Sequence, residues 1–432
     1  MSVALPEEIT FGGMRPLQGI LRLPGDKSIS HRSLLFAALA NGESTVTNLA
    51  TGDDVRAMRT ALEALGVDIR GDASAVSVRG GGFDGLREPD GVLDCENSGT
   101  AIRLLAGVLA GRSFLSVLSG DASLNQRPMG RVIGPLRAMG AQVDGRGDGA
   151  YAPIAIRGAA LLGMRHELPI ASAQVKSALM LAGLQATGTT EIVSPAPSRD
   201  HSERMLAALG VPVEVDGCLV RVRAGAPESF TVEVPGDPSS AAFFVVAALI
   251  TPGSDLTIEN MSINPTRLGF IEVLRRMGAD ITVEPVDERC GEPVGDVRVR
   301  ASRLTATVIA GEEIPNVQDE VPALAVAAAF ADGVTDVRDA GELSQKESNR
   351  IVTVNRMMSA LGVAGETRPD GLSIRGGKPA AARFESFGDH RIAMAAAVAA
   401  NAIDGESTVG GWRIVGTSYP EFADDLARLT GS

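Results

Sequence analysis

At 432 residues the chain exceeds what one ordinary core holds, so two domains are expected. Hydrophobic residues make up 44% but aromatics only 3%, which favours aliphatic packing of helices on sheets over aromatic recognition surfaces. A formal charge of −13 excludes a general nucleic-acid binder, whose phosphate contacts need a basic face, but leaves room for a local cationic cleft.

Residues 1–10 carry Glu7 and Glu8 and no basic-then-apolar run, so no signal peptide is expected there. Strand-like Ile9-Thr10-Phe11 and Gly19-Ile20-Leu21-Arg22-Leu23 flank Gly12-Gly13. Six Ala- or Leu-rich segments then follow in order, at 33–49, 101–118, 175–193, 240–258, 322–337 and 392–409. Each reads as a buried helix, a Gly stop and a β-branched strand. After each comes a second predicted helix ending in a Leu/Met–Gly pattern, at Gly66, Gly140, Gly210, Gly278, Gly362 and Gly431. A Gly at that point supplies the left-handed C-cap from which a strand can start. The longest apolar runs, 321–331, 241–250 and 392–403, fall short of the roughly 20 residues that span a bilayer. Cys95, Cys218 and Cys290 are odd in number and far apart, which reads as reduced thiols and a cytoplasmic location. The four histidines, His31, His166, His201 and His390, have no partners at ligand spacing, so no metal is expected.

The repeating unit is therefore strand–helix–strand–helix–strand, with a period of roughly 65 to 80 residues. The sixth copy ends at Gly431 without its closing strands, and the N-terminal segment is the piece that would complete it. Three units per domain gives a discontinuous first domain, 1–22 plus 236–432, and an inserted second domain, 23–235. The joints fall at two similar turns, Pro24-Gly25-Asp26 and Pro235-Gly236-Asp237.

The residues ahead of each first helix carry the chemistry. They include Gly25-Asp26-Lys27-Ser28-Ile29-Ser30-His31-Arg32, Asn97-Ser98-Gly99-Thr100, Ser172-Ala173-Gln174-Val175-Lys176 and Gly236-Asp237-Pro238-Ser239. The last two are Gln318-Asp319-Glu320 and Gly388-Asp389-His390-Arg391. Helix capping accounts for Ser239, Asp389 and Asp237. It does not account for Lys27, Arg32 and Arg391, because cations are disfavoured near the positive end of a helix dipole. Such placement suggests a bound anion that both face. Arg127, read as opening a second helix, and Arg199 in Ser198-Arg199-Asp200-His201-Ser202-Glu203 follow the same logic. Lys346, Glu347 and Arg350 lie just ahead of the second helix of the fifth unit, and Lys346 and Arg350 are four apart and can share a face. Asp319 and Glu320 fit either capping or a general base.

These segments together closely resemble the 3-phosphoshikimate 1-carboxyvinyltransferase (EPSP synthase) family of enolpyruvyl transferases, from about Gly12 to Phe422. The resemblance implies an α/β fold of the two-domain, inverse α/β barrel-like kind, with six repeats and an active site in the cleft between the domains. It implies transfer of enolpyruvate from phosphoenolpyruvate to the 5-hydroxyl of shikimate 3-phosphate, by a monomer needing no cofactor, metal, nucleic acid or membrane. Carried over, Lys27, Ser28, Arg32, Ser172, Ala173, Gln174, Arg199, Asp319 and Lys346 are the expected shikimate 3-phosphate contacts. Lys27, Gly99, Arg127, Gln174, Arg350 and Arg391 are the expected phosphoenolpyruvate contacts. Asp319, Glu347 and Lys27 are the expected catalytic groups. The chain departs from the family pattern at Ser344-Gln345, where many members have Arg-Val, and at Asn349, where many have Asp. Thr417 stands where some members have Lys.

Two other readings share the fold. One is transfer to UDP-N-acetylglucosamine, whose enzymes carry a reactive Cys in the loop that here reads Asp121-Ala122-Ser123-Leu124-Asn125-Gln126. The other is a non-catalytic phosphometabolite-binding protein, against which Lys27, Asp319, Glu347, Arg127 and Arg391 all count.

Overall fold

A computed structural model describes residues 5–431. Residues 1–4 of the N-terminal segment, and Ser432, lie outside the described residues. The described residues hold twelve α-helices: α1 (Lys27–Leu39), α2 (Asp53–Ala64), α3 (Gly99–Leu109), α4 (Gly130–Ala138), α5 (Ala173–Gly183), α6 (His201–Ala208), α7 (Pro238–Ile250), α8 (Gly269–Arg276), α9 (Val321–Ala329), α10 (Arg350–Ala360), α11 (His390–Asn401) and α12 (Phe422–Thr430). Odd-numbered helices open the repeats, and even-numbered ones are the second helices. The glycines after the even-numbered helices all have positive φ, from 68° at Gly431 to 114° at Gly140. That geometry admits no Cβ cheaply, which is why the pattern repeats at the same place.

Two compact units divide the chain. One comprises 1–24, 235–287 and 293–432; the other comprises 25–234 and the hairpin tip Glu288–Glu292. We call them the carboxylate unit and the hydroxyl unit, after the side chains that hold the buried Arg350 of the first and Arg32 of the second.

In the hydroxyl unit the three sheets share one pattern. A short strand lies parallel to a second, which pairs antiparallel with the inner arm of a hairpin. The closing strand of the expected unit is thus doubled into a hairpin, as at 142–146 with 151–157. Thr231–Glu233, from the end of the unit, supplies the parallel strand beside Asn41–Thr47 at its start. The core is almost wholly aliphatic, with Leu34, Leu35, Leu104, Leu105, Leu179 and Leu181 at its centre.

In the carboxylate unit the N-terminal segment divides. Gln18–Arg22 runs parallel to Asp255–Ser262, while Glu8–Gly12 pairs antiparallel with Glu406–Gly410. α7 and α9 are apolar all round, so they have no solvent face, and they pack on α11 in the middle of the unit. The chain's scarce aromatics collect here: Trp412, Tyr419 and Phe422 pack against one another and against Phe11, Phe243 and Phe244. Among the described residues no helix is long and apolar enough to cross a membrane.

Candidate active site

The starts of the odd-numbered helices are where buried backbone N–H groups need acceptors. In the hydroxyl unit Asp26, Ser98 and Ser172 fill that role, accepting from the N–H of Ile29, Ala101 and Val175. One residue on, Lys27 Nζ reaches Asp54 Oδ2 of α2 at 2.8 Å. The lysine charge that seemed to call for an external anion therefore has a protein carboxylate beside it. His31 is fully enclosed: Nδ1 donates to Lys27 O at 2.7 Å, so Nε2 accepts from Ser98 Oγ at 3.0 Å. Burial pushes its pKa down to about 4, which keeps the ring neutral and this tautomer fixed.

Arg32 is 3% exposed. Its Nε donates to Ser202 Oγ and its Nη2 to Ser177 Oγ, both at 2.7 Å, while Nη1 donates to Ser28 O at 3.0 Å. All three acceptors are neutral oxygens. Burial lowers its pKa to about 10, so it remains a cation at neutral pH. The charge of Arg199 pushes that value the same way.

Gly99, Arg127 and Gln174 also come together. A Cβ on Gly99 would sit 3.1 Å from Arg103 Nη1 and 3.2 Å from Arg127 Nη1. Gln174 Oε1 accepts from Arg103, and its Nε2 donates to Thr100 Oγ1 at 2.9 Å. Arg127 Nη2 donates to Asn97 Oδ1. Arg127 does not open a helix as expected. It follows a 3-10 turn at Leu124–Gln126, and α4 begins at Gly130, so Pro128 separates the two.

In the carboxylate unit every odd-numbered helix starts on an acid, namely Asp237, Glu320 and Asp389. Each has an arginine near it. Arg267 Nη2 donates to Asp237 Oδ1 at 2.9 Å, Arg350 Nε to Asp389 Oδ2 at 2.9 Å, and Arg391 Nη1 lies 4.0 Å from Glu320. Ser239 is not the cap of α7; Asp237 is, and Ser239 Oγ donates across to Glu320 Oε1 from inside the first turn.

Arg350 is fully buried and held by three acids: Asp389, Glu347 (2.6 Å) and Asp319 (3.3 Å). Burial alone would lower its pKa, but Asp389, Glu347 and Asp319 together hold it well above the ordinary guanidinium value. For Asp389 burial works to raise the pKa and Arg350 prevails, leaving it below the ordinary 3.8. Asp319 Oδ1 also accepts from Lys346 Nζ at 3.2 Å, so Lys346 and Arg350 converge on one oxygen. Asp319 O accepts from Arg391 Nη1 at 3.1 Å. Asp319, Lys346, Glu347, Arg350 and Arg391 thus form one cluster, whereas on α1 Arg32 meets Ser28 O and Lys27 turns to Asp54. Ala173 is the first residue of α5, directly after its cap.

Set against known proteins, the whole chain finds counterparts. The family described as EPSP synthase (3-phosphoshikimate 1-carboxyvinyltransferase) matches residues 12–426. The chain belongs to this family. It is 50% identical over 427 residues to a 3-phosphoshikimate 1-carboxyvinyltransferase of Pelotomaculum thermopropionicum, covering 98% of this chain and 99% of that protein. It is 49% identical over 422 residues to the protein of that name from a Geobacter species, covering 97% and 98%. A solved EPSP synthase from Acinetobacter baumannii, 41% identical, superposes with a TM-score of 0.88 over 98% of each chain. The enolpyruvyl transferase NikO of Streptomyces tendae, at 18% identity and a TM-score of 0.78 over 98% and 97%, shares the fold. The fold is the α/β enolpyruvyl transferase fold.

Several residues of the site were not legible as such in the sequence. Asp54, Ser177, Ser202 and Asp389 hold Lys27, Arg32 and Arg350 in place, yet Asp389 read as a cap alone. Their partners lie 27 to 170 residues away, so no local pattern could reveal them. Of the departures, Asn349 caps α10 through Val352 N–H, and Thr417 Oγ1 turns back to Ile414 O.

Proposed function

We propose that this chain transfers the enolpyruvyl group of phosphoenolpyruvate to the 5-hydroxyl of shikimate 3-phosphate. The products are 5-enolpyruvylshikimate 3-phosphate and inorganic phosphate, a step towards aromatic amino acids. The observation that carries the reading is identity of 49% and 50% over nearly the full length of proteins named for this reaction. The buried cations support it, since the two substrates bring phosphates and carboxylates that only fixed positive charge can hold.

In this reading Lys27, Ser28, Arg32, Ser172, Ala173, Gln174 and Arg199 hold shikimate 3-phosphate, with Asp319 and Lys346 on its hydroxyls. Lys27, Gly99, Arg127, Gln174, Arg350 and Arg391 hold phosphoenolpyruvate. The 5-hydroxyl oxygen bonds to C2 of phosphoenolpyruvate as its proton passes to Asp319, while C3 gains a proton. The tetrahedral adduct then loses a proton from C3 and the C2–O bond to phosphate breaks, restoring the double bond. Glu347 and Lys27 are the groups for the C3 proton. Asp319 and Glu347 are held by cations at fixed points, which supports a role that depends on position. No step requires a metal or organic cofactor. We place the enzyme in the cytoplasm as a monomer; its three free cysteines suit a reducing compartment, and a single 44.6 kDa species on size-exclusion chromatography with light scattering is expected.

Phosphate release from phosphoenolpyruvate tests the reading. Release with shikimate 3-phosphate and none with UDP-N-acetylglucosamine is expected; the reverse would overturn it. The loop 121–126 has no Cys, and burial pushes the nearby Cys95 thiol up to about 12, which suits no nucleophile. Asp319→Asn and Glu347→Gln should each lower turnover on the order of a hundredfold or more while shikimate 3-phosphate still binds.

A further inference from the structure

The motif Ser172-Ala173-Gln174-Val175-Lys176 and the segment Arg199–Glu203 contribute Lys176 and Glu203, a mutual ion pair that the proposed reaction leaves without a role. Lys176 and Glu203 are buried, with side chains 6% and 5% exposed, and Lys176 Nζ pairs with Glu203 Oε1. Lys176 also reaches Ser198 O at 3.5 Å. Glu203 Oε2 is buried and has no hydrogen-bond partner among the described residues.

Each member of the pair is the sequence neighbour of a side chain that holds Arg32. Lys176 precedes Ser177 on α5, and Glu203 follows Ser202 on α6; Ser177 and Ser202 are the hydroxyls that hold Arg32. Their Oγ atoms are 2.7 Å apart. Of all carboxylates Glu203 exerts the strongest pull on Arg32, ahead of Asp26 and Glu292. Yet no carboxylate stands within ion-pair distance of Arg32 among the described residues, and its donors go to neutral oxygens. A buried carboxylate with a spare oxygen, one residue from the arginine's own ligand, would ordinarily close on that arginine.

We propose that Lys176 is a positioning residue that engages Glu203 and so keeps the positive charge of Arg32 available to the phosphorylated acceptor. Hydroxyl ligands orient the guanidinium without cancelling its charge, whereas a carboxylate would compete with the incoming anion for the same donors. Lys176 needs no contact with substrate for this. The proposal rests on the reading that Arg32 binds shikimate 3-phosphate.

Titration of the full-length protein with shikimate 3-phosphate by calorimetry tests it, with Lys176→Met, Glu203→Gln and the double variant. Lys176→Met frees Glu203 to neutralise Arg32, so the dissociation constant should rise on the order of tenfold or more. The double variant removes the competitor, and binding should return to within about threefold of wild type. A pair that merely supports the fold would not show this rescue. Unchanged binding in Lys176→Met, or a double variant as weak as the single, overturns the proposal. If Lys176→Met fails to fold, Glu203→Gln decides: binding as tight as wild type or tighter is expected, and a tenfold loss overturns it. A wild-type chain that binds no shikimate 3-phosphate overturns the functional reading and this proposal with it, whereas wild-type binding that Lys176→Met leaves unaltered overturns this proposal alone.

Discussion

Arg32 and Arg350 are both buried arginines, one in each unit, and they are held in opposite ways. Arg350 has three carboxylates around it, while Arg32 has two serine hydroxyls and a carbonyl. The contrast extends to the helix starts: acids at all three in the carboxylate unit, and two serines and one aspartate in the hydroxyl unit. The first arrangement fixes an arginine by cancelling its charge; the second orients it and leaves the charge in place. The first suits Arg350, which in the proposed reading holds Asp319 and Glu347 in place as well as donating to phosphoenolpyruvate. A residue whose task is to attract an anion suits the second.

Removing each arginine separates the two arrangements most strongly. Arg350→Met leaves the buried Asp389 without its arginine, beside the part-buried Glu347 and Asp319, and should cost about 3–5 kcal/mol of stability. Arg32→Met takes a donor from Ser28 O and from Ser177 and Ser202, all neutral, and the two hydroxyls already hydrogen-bond each other, so it should cost about 1–2 kcal/mol. Urea denaturation of both variants checks this; equal losses would remove the distinction.

Acid should then reach the two units in different pH windows. His31 titrates near 6.5 when unfolded but only at about 4 in the folded hydroxyl unit. The unfolded chain therefore binds the extra proton first, and stability falls as pH drops from 6.5 towards 4, by about 3 kcal/mol at most. Asp389 is depressed below 3.8 in the carboxylate unit, so its contribution is complete above that value and is lost only as pH falls beneath it. His31→Asn, whose amide can replace the Nδ1–H donor, should flatten the loss between pH 6.5 and 4. Urea midpoints at pH 7 and pH 5 measure it, and an unaltered pH slope would refute the assignment to His31.

What the sequence revealed of this contrast is instructive. The odd-numbered helices and the glycine stops of the even-numbered ones were legible because their causes are local: a strongly apolar helix must be buried, and a left-handed C-cap wants Gly. Lys27, Arg32 and Arg391 were legible as unusual because they sit against a helix dipole, whereas Arg350 was placed only by its spacing from Lys346. Their partners were not, since Arg32 finds Ser177 and Ser202 only when helices 145 and 170 residues on pack against α1. The dipole argument also treated the cations as equivalent. Asp54 beside Lys27 and the acids around Arg350 show that the fold answers some of those charges itself. Ser239 misled for the same reason: it looks like a cap locally, and its acceptor, Glu320, lies 81 residues away.

A smaller effect is expected at Gly99, where the hydroxyl unit brings two guanidinium groups close to a helix start. In Gly99→Ala the new Cβ would press on Arg103 and Arg127 at 3.1 and 3.2 Å, so both must shift by a few tenths of an ångström. The arginine ends can give, so folding should survive. KM for phosphoenolpyruvate should rise about threefold to tenfold, with KM for shikimate 3-phosphate little changed. Steady-state kinetics in both substrates checks the split, and equal rises would place Gly99 outside the phosphoenolpyruvate site.

The least effect should come from adding one more acid where acids already abound. Asn349 caps α10 with its side-chain oxygen, and Asp caps a helix as well as Asn does. In Asn349→Asp the new charge gains from the dipole of α10 but stands next to Arg350, whose charge Asp319, Glu347 and Asp389 have already met. Attraction to the helix start and repulsion from those acids should nearly cancel, leaving a change within about 0.5 kcal/mol. KM for phosphoenolpyruvate should likewise stay within about twofold. Urea denaturation and steady-state kinetics measure both. A clear loss of phosphoenolpyruvate affinity would mean that Arg350 still holds charge in reserve, and that the carboxylate unit resembles the hydroxyl unit more than its ligands suggest.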